Sequence, residues 1–302
     1  MGAGQGSLAP LRIGVTGADG LLGGTLVPLW RRAGADVVAW TIRDFDVRDA
    51  AAVRRAIVGA GPDVVLHLAA YTDVDRAEAE PEVALAVNGD GTANVAAGCR
   101  AAGAHLVHLS TDYVFDGTAS SPIPPSAPRA PLGAYARGKA VGEAAVEAAG
   151  GAWTIVRTAW AFGPGGRNFV DTVRAAAVEG RALRVVDDQV GAPTSVRLVA
   201  EGLWGLAARR VTGYWHLAAA GAASWFEVAR AVYGCVQADP ARVPPCSSRE
   251  AARAARRPAY SVLDCRATET VLGVALPAWQ EHVTAYVRTG RTPGLGLVTG
   301  EA

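Results

Sequence analysis

Little in this chain points to metal, redox or membrane chemistry. Its four cysteines, Cys99, Cys235, Cys246 and Cys265, lie far apart among 302 residues and form no C-x-x-C pair. That spacing argues against a zinc site or a dithiol redox motif and fits reduced thiols in the cytosol. No apolar stretch approaches the roughly 18 residues of a membrane-spanning helix. The N-terminal MGAGQGSLAPLR has neither the basic region nor the apolar run of a signal peptide, and Gly6 stands where a myristoylation motif needs Ser or Thr. Net charge is nearly absent as well: 29 basic residues against 28 acidic give +1, without the basic footprint of a nucleic-acid binder. Internal repeats and a low-complexity tail are also missing. These absences predict a cytoplasmic protein with neither a membrane nor a nucleic acid as partner.

What the chain has is apolar content, 50% of its residues, enough to bury a large core in one large or two smaller domains. RIGVT, DVVAWT, DVVLHLAA, HLVHLST and WTIVRT read as strands apolar on both faces, as in a parallel sheet covered by helices. Between them, residues 20–33, 50–58, 82–102 and 134–149 are long enough for crossover helices. The alternation predicts an α/β fold with a Rossmann-type doubly wound parallel sheet. Beyond about residue 158 the rhythm loosens: a helix over 169–179, a strand near ALRVV, a helix over 196–207 and a capping box at Ser224–Glu227 suggest a smaller α/β substrate-binding lobe. The expected division is 1–158 and 159–302, with interleaved segments. DPARVPP reads as a linker or loop, and residues 120–131, SSPIPPSAPRAP, as a loop whose prolines deny backbone donors to helix and sheet.

Gly17, Gly20 and Gly23 follow the first strand and open the first helix, where close backbone approach lets helix N–H groups meet a pyrophosphate. The second strand leads into AWTIRDFDVRD without an acidic residue at its tip to grip ribose hydroxyls. Arg43 could meet a 2′-phosphate instead, which favours NADPH and leaves NADH open, although it reads equally well as a solvated arginine. Asp46 and Val47 could border adenine, or Asp46 could cap the next helix. Tyr135 and Lys139, four residues apart at a helix start, project from one face. An ammonium there would lower the tyrosine's ordinary pKa of ~10 and make it a usable general acid. His67 and His108, inside strands, read as buried hydrogen-bonded histidines.

GVTGADGLLG, DVVLHLAAYTDVDRAE, VNGDGTAN, STDYVFDG, YARGKAVGE, VRTAWAFG, NFVDT, DDQVGAPT and the late RPAYSVLDCRATETVLG together resemble the extended short-chain dehydrogenase/reductases, and more narrowly the dTDP-4-dehydrorhamnose reductases. The resemblance implies Thr111, Tyr135 and Lys139 as catalytic. It implies Gly17, Asp19, Gly20, Leu21, Leu22, Arg43, Asp46, Val47, Ala69, Ala70 and Tyr71, with Tyr135 and Lys139, around the dinucleotide. Thr72, Val74, Asp112, Tyr113, Trp160 and Asn168 would surround the nucleotide sugar, with Gln189 and Thr194 helping to frame the pocket. The implied reaction is NADPH-dependent reduction of the C4 keto group of dTDP-4-dehydro-L-rhamnose. Two alternatives stay open: another nucleotide-linked 4-keto-deoxysugar, and a non-catalytic dinucleotide-binding subunit like the regulatory subunit of methionine adenosyltransferase. Two departures from the family pattern, Gly138 before the lysine and the neutral-to-basic PPSAPRAP, leave the exact sugar open. No acidic cluster suits a bound metal, so none is expected; a homodimer stays open.

Overall fold

The computed structural model describes residues 11–298, so the expectations for the N-terminal decapeptide lie outside it. Six strands form one sheet: β1 (Arg12–Thr16), β2 (Asp36–Trp40), β3 (Val64–His67), β4 (His105–Thr111), β5 (Trp153–Thr158) and β6 (Gly213–His216). The order is β2-β1-β3-β4-β5-β6, and every pairing is parallel. Period-two side-chain alternation sends neighbouring residues to opposite faces. Leu66, Val107 and Val156 enter one core with Leu26 and Trp30, whereas Val65, Leu106 and Ile155 enter the other with Val53 and Ile57. Each such side chain contributes roughly 1.5–3 kcal/mol on burial, which is why these strands read as continuous apolar runs.

The covering helices are α1 (Leu21–Arg32), α2 (Ala50–Ala60), α3 (Gly91–Ala102) and α4 (Ala134–Ala149). The helix expected over 82–102 is divided: Pro81–Leu85 is α-helical, Ala86–Asp90 forms a wider π turn, and α3 follows. The buried Asn88 side chain in that turn receives the Tyr71 N–H at 2.8 Å and donates to the Tyr71 carbonyl at 3.0 Å. It thereby ties the exit of β3 to the helix. Gly138 and Gly142 let α4 lie against this turn, since a methyl group at Gly142 would collide with the Asn88 carbonyl oxygen and one at Gly138 would sit 3.1 Å from Asn88 Cβ. The close approach accounts for glycine before the lysine.

Beyond β5 come α5 (Phe169–Val178), α6 (Val196–Ala208), α7 (Trp225–Cys235) and α8 (Trp279–Thr289). Here α6 packs on α1 and β6 completes the large sheet, so the later half of the chain contributes to both layers. Three two-residue pairings brace the smaller part: Ala161–Phe162 with Thr194–Ser195, Val185–Val186 with Pro245–Cys246, and Val190–Gly191 with Ala223–Ser224. Only Val185–Val186 of ALRVV is a strand, and DPARVPP carries its pairing partner as well as a 3₁₀ turn. The capping box stands where expected: the Glu227 N–H donates to Ser224 Oγ at 3.1 Å, and the Ser224 N–H to Glu227 Oε2 at 2.6 Å. The proline loop is held by backbone bonds of 2.8 Å from Ile123 to the Val262 carbonyl and from Ala130 to the Val114 carbonyl.

Candidate active site

Chain order reverses between β1 and β3, and at their carboxyl ends an open α/β sheet places its ligand. Gly17 leaves β1 with φ +66°, a left-handed conformation that favours glycine, and a methyl group there would lie 2.7 Å from the Ala69 nitrogen. Gly20 is the N-cap of α1, no side chain bonds the cap and no acidic residue occupies the first turn. The first-turn N–H groups and the positive end of the helix are thus presented to an anion. A cavity of ≈1060 Å³ opens in front of them, lined by Gly17, Asp19, Gly20, Leu21, Leu22 and Gly23.

Trp40, Phe45, Asp46, Val47 and Arg48 line the same cavity. Asp46 grips the Arg48 guanidinium through both oxygens, which lowers its carboxyl below the usual range. Asp49 rather than Asp46 caps α2, accepting the Ala52 N–H at 2.9 Å. Arg43 is not part of the lining, whereas Arg48 and Arg167 are. In the turn after β2, Asp44 folds back to accept the Thr41 N–H at 2.7 Å and the Thr41 hydroxyl at 3.0 Å, and it is not part of the lining. Ala69, Ala70, Thr72 and Val74 line the cavity. Tyr71 is not in the lining; its hydroxyl donates to Glu80 at 2.8 Å.

The other end of the cavity holds Thr111, Tyr135 and Lys139. Thr111 is the last residue of β4, while Tyr135 and Lys139 lie one turn apart at the start of α4. Glu78 accepts the Ala134 N–H at 2.6 Å and so caps that helix from outside. The Lys139 ammonium donates to the Leu109 carbonyl at 2.7 Å and to His108 Nε2 at 3.3 Å, and burial pushes its pKa down to about 8 against the opposing charge of Glu143. Tyr135 departs from the expectation of a lowered pKa. Burial pushes the phenol up to about 12, opposed by a hydrogen bond with Thr111, and the lysine is directed to a backbone carbonyl instead. The tyrosine therefore rests as a protonated acid.

His67 and His108 stack at 5.2 Å because they are register partners on β3 and β4. His67 bonds Thr16 at 2.7 Å and Thr92 at 3.1 Å, and burial pushes it down to about 3. A neutral His108 is left to accept the lysine proton, its own pKa held well below 6.5 by burial.

Trp160, with φ +46°, stacks on Trp225 at 3.5 Å, and Phe169 meets Trp225 edge-on; all three line the cavity. Gly191 makes room, since a methyl group there would sit 2.5 Å from the Trp160 ring. Asp112 and Tyr113 are not part of the lining; the Tyr113 ring meets Tyr135 edge-on. Asp112 accepts Thr111 and Ser261, and burial pushes its carboxyl up to about 7. Asn168 caps α5, accepting the Asp171 N–H at 2.9 Å. Thr194 bonds the Ala192 carbonyl and Gln189 bonds Ser248, so neither contributes to the lining. Trp225, Phe169, Ser110 and Thr158 are lining residues that the sequence reading did not name. Thr158 was findable as the last residue of β5, level with Thr111. Ser110 Oγ and Thr158 Oγ1 are buried without partners. With the glycine cradle, these open hydroxyls fit an elongated dinucleotide reaching from α1 to Tyr135.

Residues 11–292 match the family described as the RmlD substrate binding domain. A dTDP-4-dehydrorhamnose reductase of Streptomyces griseus is 44% identical over 256 residues, 83% of this chain and 84% of the relative. A dTDP-4-keto-6-deoxy-D-glucose reductase of Streptomyces niveus is 42% identical over 250 residues, 82% of this chain and 87% of the relative. The crystal structure of dTDP-4-dehydrorhamnose reductase from Bacillus anthracis in complex with NADP superposes with TM-score 0.86 at 32% identity, covering 91% of this chain and 98% of that one. A glycine cradle at the switch point, a threonine at a strand end and a Tyr–Lys pair on the facing helix thus come with a match along almost the whole described chain, and the protein belongs to the RmlD substrate binding domain family.

Proposed function

We propose that the protein reduces the C4 keto group of dTDP-4-dehydro-L-rhamnose with NADPH, giving dTDP-L-rhamnose. The observation that carries this reading is the convergence of Thr111, Tyr135 and Lys139 at one end of a ≈1060 Å³ cavity whose other end is the Gly17–Gly23 cradle. When bound, the reduced nicotinamide supplies hydride to the carbonyl carbon. Tyr135, protonated at neutral pH, gives its proton to the oxygen as negative charge develops there, with Thr111 beside the phenol. Lys139, fixed by Leu109 and His108, is placed to hold the nicotinamide ribose and to stabilise the tyrosinate left after proton transfer. Ser110 and Thr158 offer free hydroxyls to the same region. Thr72, Val74 and the Trp160–Trp225 pair would enclose the sugar, with Tyr113 edge-on to Tyr135 and Asp112 accepting the Thr111 hydroxyl.

A second reading keeps the reduction and changes the sugar. The Streptomyces niveus relative's name specifies a dTDP-4-keto-6-deoxy-D-glucose, in which the same C4 ketone sits in a ring of different configuration. The two are separated by supplying each dTDP-4-keto-sugar with NADPH and determining the C4 configuration of the product by proton NMR. The proposal predicts faster turnover of dTDP-4-dehydro-L-rhamnose to the L-rhamno product. Turnover confined to the D-gluco ketone would replace it with the second reading, and no turnover of either would remove the reductase assignment.

A further inference from the structure

Ser261 belongs to the late RPAYSVLD motif, which the chemistry above leaves unused. It is 1% exposed, and its hydroxyl donates to Asp112 Oδ2 at 2.6 Å. The other carboxylate oxygen, Oδ1, accepts the Thr111 hydroxyl at 3.0 Å. Thr111 Oγ1 in turn accepts the Tyr113 N–H at 3.2 Å, and it lies close enough to the Tyr135 phenol to oppose the rise that burial imposes on its pKa. A threonine hydroxyl has one proton, so the orientation of Asp112 decides where that proton points. We propose that Ser261 is a positioning residue for the reduction: by fixing the Asp112 carboxylate it fixes the Thr111 hydroxyl beside Tyr135. The inference rests on Tyr135 as proton donor.

The position of Ser261 is itself imposed from several directions. Its N–H donates to the Val190 carbonyl at 2.8 Å, and the Val190 N–H to the Ala259 carbonyl at 2.7 Å. Gly191, next along, is the residue over which the Trp160 ring lies. Upstream, Arg257 grips Asp75 through bonds of 3.0 and 2.9 Å, and Gly117 packs against the Pro258–Ala259 backbone. One short segment thus connects the aromatic end of the cavity with the catalytic threonine. If Ser261 were alanine, Asp112 Oδ2 would remain buried without that donor and the carboxylate would be free to turn.

The groups facing Asp112 are Tyr113 beside it, Tyr135 from α4 and, through Tyr113, Arg257; both phenols are pushed up by burial, and the arginine is pushed up by its bond to Asp75 against burial. Asp112 is therefore the group among them that changes charge near neutrality. Losing a donor that favours its charged form moves its titration to higher pH.

The test compares Ser261→Ala, Ser261→Thr, Asp112→Asn and the double variant Ser261→Ala/Asp112→Asn. Ser261→Ala is expected to lower kcat about tenfold with KM for NADPH unchanged, to shift the corresponding limb of the kcat–pH profile upward, and to be rescued by threonine. In the Asp112→Asn background the alanine adds no further loss. Carbon-13 NMR of labelled aspartate carboxyls, recorded without substrate, follows Asp112 directly and should show its midpoint raised in Ser261→Ala. Unchanged kcat with an unmoved midpoint would overturn the proposal, as would fully additive losses in the double variant. A wild-type protein that reduces no keto-sugar would defeat the functional reading instead, and the carboxyl titration would still decide whether Ser261 governs Asp112.

Discussion

Replacing Glu143 with alanine should cost this protein a large share of its stability. Its carboxylate is fully buried and takes Arg157 Nε at 2.9 Å and Nη2 at 2.8 Å, a bidentate pair in which the arginine side chain is only 2% exposed. The guanidinium also donates to the Pro125 carbonyl at 3.0 Å and lies over the Phe115 and Tyr214 rings at 4.9 and 4.4 Å. Removing the carboxylate leaves a buried cation facing aromatic rings and a neighbouring arginine, Arg129, which itself lies 3.5 Å from Glu143. Breaking one side of such a pair costs roughly 3–5 kcal/mol, much of it the penalty for the stranded charge. Against a total of about 5–15 kcal/mol, the loss would be visible in urea unfolding followed by circular dichroism. The double variant Glu143→Ala/Arg157→Met, which removes both charges, should recover most of it. A loss below about 1 kcal/mol for Glu143→Ala, or a double variant no more stable than the single, would refute the reasoning. The effect reaches the site because Glu143 lies one turn beyond Lys139 and two beyond Tyr135 on α4.

Gly17→Ala forces a side chain into the left-handed region, at about 1–2 kcal/mol, and into the Ala69 backbone; calorimetry should show NADPH affinity falling at least tenfold while the nucleotide sugar still binds. Lys139 has a folded pKa of about 8 below its ordinary 10.5. Between these values the unfolded chain holds a proton that the folded one lacks, so the site's contribution to stability rises with pH through that window. The stability advantage of Lys139→Met over wild type, measured by denaturant titration, should therefore shrink from pH 8 to 10.5; an advantage constant across the window would contradict the burial argument. Trp225→Ala removes the face against which Trp160 stacks, and steady-state kinetics should show KM for the nucleotide sugar rising about tenfold, with KM for NADPH nearly unchanged.

The large sheet was legible because β1, β3, β4 and β5 are buried on both faces and carry predominantly apolar, β-branched stretches separated by helix-length segments. Tyr135 and Lys139 were legible for a similar reason, since helical spacing alone puts them on one face. Less accessible was anything decided by a turn or by distant segments. Arg48, rather than Arg43, faces the cavity because Asp46 holds it there. Trp225 reads in sequence as the first residue after the N-cap serine of a capping box and gains its place by stacking on Trp160, 65 residues earlier. The lowered tyrosine pKa failed as an expectation because spacing places a lysine nearby without saying that Leu109 and His108 take its protons.

The central claim is that Tyr135 protonates the carbonyl oxygen in a cavity that binds NADPH and a dTDP-linked 4-keto-sugar. It is tested most directly by NADPH oxidation, followed by absorbance, with dTDP-4-dehydro-L-rhamnose and either the wild-type protein or Tyr135→Phe. The account predicts rapid oxidation by the wild type and a loss of about 10²–10⁴ in kcat for Tyr135→Phe, with NADPH binding intact. Equal turnover by the two proteins would contradict it.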